Sequence, residues 1–355
     1  MARTPAKPRT RAVKRINLAL QGGGAHGAFT WGVLDRLLEE DDIEVAAISG
    51  TSAGALNGAA FKAGMLADGR AGAKANLDWL WGQVGAINDM RIAGWMQPLM
   101  PPPAFVSHAI EYSLPYAISD AMTRVLSPYA YGPFYRNPLQ RIVDVFAYDK
   151  ICARVDPALF VSTTNVRTGK IRVFEHEEIS TDVILASACL PTIFQAVEID
   201  DPKTGNKEAF WDGGYTGNPA LFPLFPDDFP NDILVVNINP LERDELPVSP
   251  QEILNRINEI SFNSSLLREL RAIRFVHRLI AEGRIPEGAM ADIRVHMVSD
   301  DDLMTQLSVA TKTVPSPYVL AELKKAGRRA CADFLEASKR HIGKTSSIDL
   351  EEMFG

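Results

Sequence analysis

Two short patterns contain residue types that could carry out nucleophilic chemistry. The first, GTSAG, places Ser52 between Gly50 and Gly54, directly after an apolar run. Glycines beside a serine on a tight strand-to-helix turn let its hydroxyl stand clear of neighbouring side chains, as in a nucleophile elbow. The N-terminus of the following helix would favour a developing negative charge. The pattern therefore predicts Ser52 as a nucleophile, the alternative being a buried structural serine.

The second pattern, WDGGYTGNP, contains a candidate base for that serine. A serine hydroxyl is a weak nucleophile until a neighbouring base accepts its proton. Asp212 follows two aromatic residues and precedes Gly213 and Gly214, so its carboxylate can lie on a tight, uncrowded turn. The alternative is that Asp-Gly-Gly is a plain turn without chemistry.

A histidine base, as in a Ser–His–Asp triad, is the rival arrangement. Triad hydrolases of the α/β type place the acid and then the histidine after the serine, with the histidine on a loop. Here His277 lies within a helical stretch, His296 lies in a strand-like run and His341 lies near the chain end. None of these positions is typical of a triad histidine, so we favour Asp212 as the base.

A third pattern, GGGAHG, follows the strand-like run 16–20. Its spacing fits the dinucleotide fingerprint G-x-G-x-x-G through Gly22, Gly24 and Gly27, and Glu44 lies about where the ribose-binding acid would be. Glu44, however, precedes the second apolar run, at the wrong edge of the sheet. A phosphate-binding P-loop is excluded because no Gly-Lys-Ser/Thr follows. Taken alone, the pattern is also consistent with glycines that serve only the fold.

Together the motifs resemble those of the patatin-like phospholipase family, in which G-G-G-x-[R/K]-G, G-x-S-x-G and D-G-[G/A] occur in this order. Here they read GGGAHG (22–27), GTSAG (50–54) and DGG (212–214). The segment ASACLPTIF (186–194) is similar to the family's A-S-x-x-x-P-x-x-F. The resemblance extends over roughly residues 15–240 and adds no motif beyond them.

This resemblance implies an acyl hydrolase with a Ser52–Asp212 dyad, without histidine, cofactor or metal. It also implies that the backbone amides of Gly22, Gly23 and Gly24 form the oxyanion hole. His26 departs from the family pattern, because it stands where Arg or Lys is usual and is only partly charged at neutral pH. The remaining glycines of the three motifs are expected to support the site: Gly27, Gly50, Gly54, Gly213 and Gly214.

The elements that must position these residues alternate between strand and helix. Apolar runs at 16–20 and 43–50, each followed by a helical pattern, predict an α/β fold with three layers. With the resemblance, we expect a patatin-like fold in which helices flank a mostly parallel central sheet. The predicted organisation is a basic flexible tail (1–15), a catalytic domain (16–240) with an insertion (86–150), and a C-terminal helical extension (241–355) packed on the same domain.

Composition excludes several other classes. The 355 residues carry a net charge of −7, and the six basic residues of 1–15 leave −13 for the remainder, which argues against nucleic acid as a partner. No apolar stretch approaches the roughly 18 residues of a membrane span. The three cysteines have no metal-binding spacing, which favours free thiols in a reducing compartment. We therefore expect a cytoplasmic protein, with peripheral contact on a lipid surface as an option.

The sequence thus predicts a serine acyl hydrolase that cleaves carboxylic esters of lipids, like a phospholipase A or lysophospholipase. The alternatives are a hydrolase of neutral lipid or polyester and, from another class, a non-catalytic nucleotide- or lipid-binding module. The insertion is rich in proline and aromatic residues, and we expect it to cover the site and line an acyl-chain groove. The candidate lining residues lie between Trp95 and Tyr135 and are Phe105, Tyr112, Tyr116, Tyr129, Tyr131 and Phe134. The oligomeric state is not predicted.

Overall fold

The central sheet fixes the positions of all three motifs. The computed structural model describes residues 13–86, 101–286 and 288–354. In these ranges the sheet has eight strands, in the order β5-β6-β3-β2-β1-β7-β8, with β4 paired to β3. Strands β3, β2, β1, β7 and β8 run parallel. The strands are β1 (Lys14–Leu20), β2 (Ile43–Thr51), β3 (Ala158–Asn165), β4 (Ile171–Glu175), β5 (Val197–Asp201), β6 (Asn206–Asp212), β7 (Asp232–Val236) and β8 (Arg294–Val298).

Helices lie between these strands and after them. Short 3-10 turns at Gly24–Gly27, Pro128–Phe134 and Gly213–Tyr215 belong to the region of the motifs. The α-helices are α1 (Ala28–Leu37), α2 (Ala53–Ala86), α3 (Pro103–Glu111), α4 (Leu114–Val125), α5 (Gln140–Val143), α6 (Tyr148–Ile151), α7 (Thr181–Ser187), α8 (Pro250–Ala281), α9 (Asp301–Met304), α10 (Val309–Thr313), α11 (Pro317–Ser338) and α12 (Leu350–Phe354).

Alternate residues of β1 face two different hydrophobic cores. Leu18 and Leu20 pack in the larger core, to which α1, α2, α7 and α11 contribute. Ala19 packs in the other core, against Leu266 and Leu270 of α8. Because side chains alternate across a strand, one apolar run can fill both cores, as is typical of a parallel sheet covered on both faces. The prediction of an α/β fold with helices on both sides of a mostly parallel sheet is confirmed.

The meeting of β2 and β6 brings the two chemical motifs together. Strand β2 pairs with residues 158–162 of β3, and β6 pairs antiparallel with residues 163–165. Strand β4 occupies residues 160–164 on the opposite edge of β3. A strand has only two edges, so β6 must continue along the edge where β2 stops. The last residues of β2 and β6 therefore meet end to end, Thr51 opposite Ser162 and Asp212 opposite Thr163.

Several element bounds differ from those expected. Strand β1 begins at Lys14, inside the stretch predicted as tail, where Arg15 forms an ion pair with Asp156. Strand β5 was not predicted, because its sequence VEIDD lacks a continuous apolar run. Helix α2 is kinked at Asp68 and Gly69, which have non-helical backbone angles. The described part of the insertion contains the short helices α3–α6, whereas residues 87–100, with Trp95, lie outside the described ranges.

Candidate active site

Ser52 occupies a strained turn between β2 and α2. Its φ of 53° lies in the left-handed region, which a residue other than glycine adopts only where the surroundings enforce it. The backbone N–H of Ser52 donates to Ser187 Oγ at 2.8 Å, and that hydroxyl donates to the Ser162 carbonyl at 2.7 Å. Through these two bonds, α7 and β3 hold the turn at Ser52 in place. The turn therefore has the strained strand-to-helix geometry that a nucleophile elbow requires, with the N-terminus of α2 directly beyond the serine.

Asp212, the predicted base, is 1% exposed at the end of β6. One carboxylate oxygen accepts the Gly214 N–H at 2.7 Å, and the Ser52 side chain is its hydrogen-bond partner in the site. Burial raises the pKa of Asp212 to about 7, although both hydrogen bonds act to lower it. A carboxyl with a pKa near neutrality can accept a proton from the serine and return it, as general acid–base chemistry requires.

None of the six histidines, all of which lie in the described ranges, hydrogen-bonds to Ser52 or Asp212. His296 Nε2 is bound to Asp232 at 3.0 Å, and His277 Nε2 is bound to the Ile293 carbonyl at 2.8 Å. His341 bonds to Thr345 on the surface. Each is occupied by a contact far along the chain from the serine motif, so the geometry favours a pair over a triad.

The glycine loop lies directly against the candidate nucleophile. A Cβ placed on Gly22 would be 2.7 Å from Ser52 Cβ, so only glycine allows this approach. The N–H of Gly22, predicted as an oxyanion donor, is already used, because it donates to Asn218 Oδ1 at 2.6 Å. In the described ranges, the N–H groups of Gly23 and Gly24 donate to no protein acceptor. The candidate oxyanion donors therefore narrow to Gly23 and Gly24.

Asn239 orients the peptide between Gly22 and Gly23. Its Nδ2 donates to the Gly22 carbonyl at 2.9 Å and to Gln21 Oε1 at 3.1 Å. In a trans peptide the C=O and the N–H point in opposite directions. The Gly23 N–H must therefore point away from Asn239. Gly24, which follows, has a φ of +58° and is an exposed residue, and its N–H has no acceptor among the described residues.

His26 does not act as a cation in this structure. It is 1% exposed, and burial together with the nearby Lys312 ammonium lowers its pKa well below the usual value. Its Nε2 bonds to Thr311 Oγ1 at 2.8 Å, and that hydroxyl donates to the Ser308 carbonyl. Thr311 therefore accepts the histidine N–H. The expectation that His26 carries a partial charge at pH 7 is wrong, and its observed contact ties the loop to α10.

The other motif glycines are sites of close packing. Gly27 leaves no room for a Cβ against Ala53, at 2.5 Å, and Gly50 would meet the Gly54 carbonyl at 2.6 Å. A Cβ at Gly213 or Gly214 would overlap the Ser162 carbonyl or the Phe262 ring, respectively. Sequence reasoning missed the residues that hold the loop from a distance. The glycine loop is held by Gln21, Asn218, Asn239 and Lys312, of which Asn218 lies beside a recognised motif. The Ser52 turn is held by Ser187, which lies inside a recognised motif.

The insertion contacts the site from two sides. Ser107 of α3 accepts the Ser308 N–H at 2.9 Å, next to the helix α10 that holds the glycine loop. On the aspartate side, the Tyr129 hydroxyl accepts the Ala196 N–H at 3.1 Å. Of the predicted groove residues, the side chains of Tyr131 and Phe134 lie outside what the structure describes. The groove itself stays a prediction.

The described ranges contain no arrangement suited to metal binding or to membrane spanning. No group of three or more His, Cys, Asp or Glu side chains there is arranged to hold a metal ion. No helix in those ranges is long and apolar enough to cross a membrane.

Comparison with known proteins identifies a family and several similar structures. A family model described as patatin-like phospholipase matches residues 18–225. Among solved structures, VipD from Legionella pneumophila is similar over 93% of this chain and 72% of its own, at 14% identity and a TM-score of 0.44. A chain of the ExoU–SpcU complex from Pseudomonas aeruginosa is similar over 94% of this chain and 62% of its own, at 17% identity and a TM-score of 0.31. No protein with a curated description matches significantly.

Proposed function

Because the chain belongs to the patatin-like phospholipase family, we propose that it is a serine acyl hydrolase that cleaves carboxylic esters of lipids through Ser52 and Asp212. The observation that supports this most directly is the contact between the Ser52 side chain and a buried carboxyl whose pKa is raised to about 7. A carboxylate of ordinary pKa would be a much weaker base for a serine hydroxyl.

The proposed reaction has two halves. Asp212 accepts the Ser52 proton while the serine oxygen attacks the ester carbonyl, and the leaving alcohol takes that proton as the acyl-enzyme forms. Asp212 then accepts a proton from the water that attacks the acyl-enzyme. As the bond between the acyl group and Ser52 Oγ breaks, Asp212 returns this proton to Ser52, which releases the fatty acid and regenerates the enzyme. In both halves the carbonyl oxygen becomes an oxyanion, which the Gly23 and Gly24 amides and the N-terminus of α2 stabilise.

Exposed apolar side chains near the insertion support a lipid substrate. On α4, Leu114, Ile118, Met122 and Val125 recur at helical spacing and are all exposed. Such a stripe favours contact with acyl chains or a lipid surface. We propose glycerophospholipids or lysophospholipids as substrates, with neutral lipids and polyesters as the alternatives. No cofactor is required by this chemistry.

The test is a panel of esters combined with covalent labelling. Wild type, Ser52→Ala and a control, Ser264→Ala, are incubated with a fluorophosphonate and then with p-nitrophenyl acyl esters, phospholipids, lysophospholipids and triacylglycerols. Ser264 lies on α8 and bonds only within its own helix and to Arg268, so its loss should leave activity unchanged. We expect labelling and hydrolysis in wild type and control, and neither in Ser52→Ala.

Two results would contradict the proposal. Labelling that persists in Ser52→Ala would mean that another residue is the nucleophile. A wild-type protein that hydrolyses no ester but binds a nucleotide or dinucleotide in calorimetry would favour the binding-module alternative. The relative rates on the lipid panel decide between phospholipid and neutral-lipid substrates.

A further inference from the structure

A hydrogen-bonded chain connects a lysine to the glycine loop. Lys312 Nζ donates to Asn239 Oδ1 at 2.9 Å, and Asn239 Nδ2 donates to the Gly22 carbonyl at 2.9 Å. The Gly22 carbonyl belongs to the same peptide as the Gly23 N–H, one of the two free amides of the loop. The chain therefore runs from an ammonium, through two amide groups, to a candidate oxyanion donor.

The direction of every bond in this chain is determined by its members. A lysine ammonium can only donate, so the atom of Asn239 facing Lys312 must be the oxygen. The nitrogen of Asn239 then faces two acceptors, the Gly22 carbonyl and Gln21 Oε1. Each donation to an amide oxygen makes the N–H groups of that amide better donors, because hydrogen bonds in a chain polarise one another.

Lys312 is held in place but is not neutralised by a dedicated partner. Its backbone carbonyl packs against Gly24, which leaves no room for a Cβ there. Helix α10, which carries Lys312, is fixed to the loop through His26 and Thr311. In the described ranges, no carboxylate lies within ion-pair distance of the ammonium. The positive charge of Lys312 can therefore polarise the hydrogen bonds that run through Asn239 to the Gly22–Gly23 peptide.

The charged groups around Lys312 come from three sides. The acid whose charge acts on Lys312 is Glu259 on α8, which is already bound by Arg243 at 2.6 Å and Arg256 at 3.2 Å. Arg243 opposes the charge on Lys312, Glu259 supports it, and His26 is buried and neutral. Burial is the largest of these influences on Lys312, and it makes the ammonium easier to deprotonate.

We propose that Lys312 is a positioning residue of the oxyanion hole, which fixes Asn239 and, through the Gly22–Gly23 peptide, polarises the Gly23 N–H toward the reacting oxygen. The proposal rests on the proposed function, because it requires an oxyanion to form there. Lys312 itself touches neither the substrate nor the reacting atoms. Its influence is electrostatic and should be felt in the transition state more than in substrate binding.

This role has a pH signature. Burial lowers the pKa of Lys312 to about 8, so the ammonium is present below that pH and is lost above it. Asp212 must be ionised to accept a proton, and its pKa is about 7. We therefore expect kcat to rise as the pH passes about 7 and to fall as it passes about 8, a narrow bell-shaped profile.

The experiment measures kcat and KM against pH for wild type, Lys312→Met, Lys312→Arg and a control, Lys325→Met. The substrate is an uncharged p-nitrophenyl acyl ester, which offers no phosphate for a lysine to bind. Lys325 is an exposed lysine of α11 paired with Glu322, so its variant loses one positive charge away from the loop. Circular dichroism and fluorophosphonate labelling confirm that each variant is folded and has an intact nucleophile.

We expect kcat of Lys312→Met to fall about tenfold with little change in KM, less than the 10²–10³-fold cost of losing an oxyanion donor. Its alkaline limb should disappear. Lys312→Arg should keep most of kcat and also lose the alkaline limb, because a guanidinium stays charged. A purely structural lysine would not extend activity to higher pH in the arginine variant. If Lys312→Met does not fold, the comparison of wild type with Lys312→Arg decides.

Three results would overturn the inference. An unchanged kcat and alkaline limb in Lys312→Met would mean that the charge is not used. A raised KM at constant kcat would mean that the lysine binds substrate instead. An alkaline limb that persists in Lys312→Arg would assign it to another group. Absence of ester hydrolysis in wild type would instead refute the proposed function.

Discussion

Two buried aspartates on the same sheet have opposite electrostatic environments. Asp212, at the end of β6, is 1% exposed, and Asp232, at the start of β7, is 2% exposed. Burial raises the pKa of Asp212 to about 7. The pKa of Asp232 is lowered to about 2, because hydrogen bonds from His296, Arg294 and the Gly343 N–H outweigh its burial. Two side chains with nearly equal solvent exposure thus have pKa values on opposite sides of the usual aspartate value, and Asp212 is the more deeply buried of the two.

Besides their depth of burial, the two carboxylates differ in their hydrogen-bond partners. Arg294 approaches Asp232 at 2.8 Å and His296 approaches it at 3.0 Å, so this carboxylate is matched by cationic and polar donors. Among the described residues, the Asp212 carboxylate has only the Gly214 N–H and the Ser52 hydroxyl as hydrogen-bond partners. A carboxylate with full compensation stabilises the fold, whereas one without it keeps its proton affinity and can act as a base. Asp232–His296 looks like part of a triad but lies at the opposite end of the strands from Ser52.

The largest expected effect tests this division of roles. We predict that Ser52→Ala and Asp212→Asn each lower kcat by about 10⁴-fold, as removal of a catalytic partner does elsewhere. Asp232→Asn and His296→Ala should keep nearly full kcat per folded molecule. The measurement is kcat on a p-nitrophenyl ester, normalised to the folded fraction from circular dichroism.

The remaining candidate histidines serve as controls for this prediction. His277→Ala and His341→Ala should also retain most activity, because their contacts lie with Ile293 and Thr345. A folded variant of any of these three histidines that is as inactive as Ser52→Ala would establish a triad in place of the Ser52–Asp212 pair.

The second prediction concerns stability, where the two aspartates should differ in sign. The folded pKa of Asp212 is above its value in the unfolded chain, so its favourable contribution, complete below about pH 4, is lost as the pH rises to about 7. Asp212→Asn removes that loss. The variant should therefore be more stable than wild type at pH 8, by up to about 4 kcal/mol for three pKa units.

Denaturant unfolding at several pH values measures this gain. The advantage of Asp212→Asn should shrink as the pH falls from about 7 toward about 4, where wild type carries a neutral carboxyl. An advantage that does not depend on pH would mean that Asn packs better than Asp at this position and that the carboxylate is not strained. Glu269 is a positive comparison. Burial also raises its pKa to about 7, although it accepts two backbone N–H groups, so Glu269→Gln should gain stability over a similar pH interval.

Local patterns predicted the parts of the site that depend on neighbouring residues. The buried runs of β1 and β2 and the turn at Ser52 follow from apolar continuity and from glycines beside the serine. The tight turn at Asp212 could also be predicted, because Gly213 and Gly214 follow it directly. These features need only a few residues of context, which is why sequence reasoning reached them.

Long-range contacts account for what was missed. The N–H of Gly22 is captured by Asn218, 196 residues later, and His26 is buried because α10 covers it. Lys312 reaches the loop through Asn239, although no motif includes either residue. Side-chain contacts between distant segments depend on the packing of α8 and α10, for which a single sequence contains no periodic signal. The N–H groups of Gly23 and Gly24 could therefore be identified as free donors only from the folded structure.

The smallest effect is expected at the compensated aspartate. Asp232→Asn leaves Arg294 without its carboxylate, which should cost about 2–3 kcal/mol at neutral pH, below the usual range for buried pairs because Arg294 keeps some contact with water. The pKa of Asp232 in the folded protein is about 2, so the stabilisation by this ion pair is present above about pH 4 and is lost as the pH falls toward 2. The deficit of the variant should shrink over that interval, whereas Glu177→Gln, which breaks the fully exposed pair with Arg154, should change stability little at any pH. Urea unfolding measures all three proteins, and a deficit that stays constant down to pH 2 would contradict the ionic role assigned to Asp232.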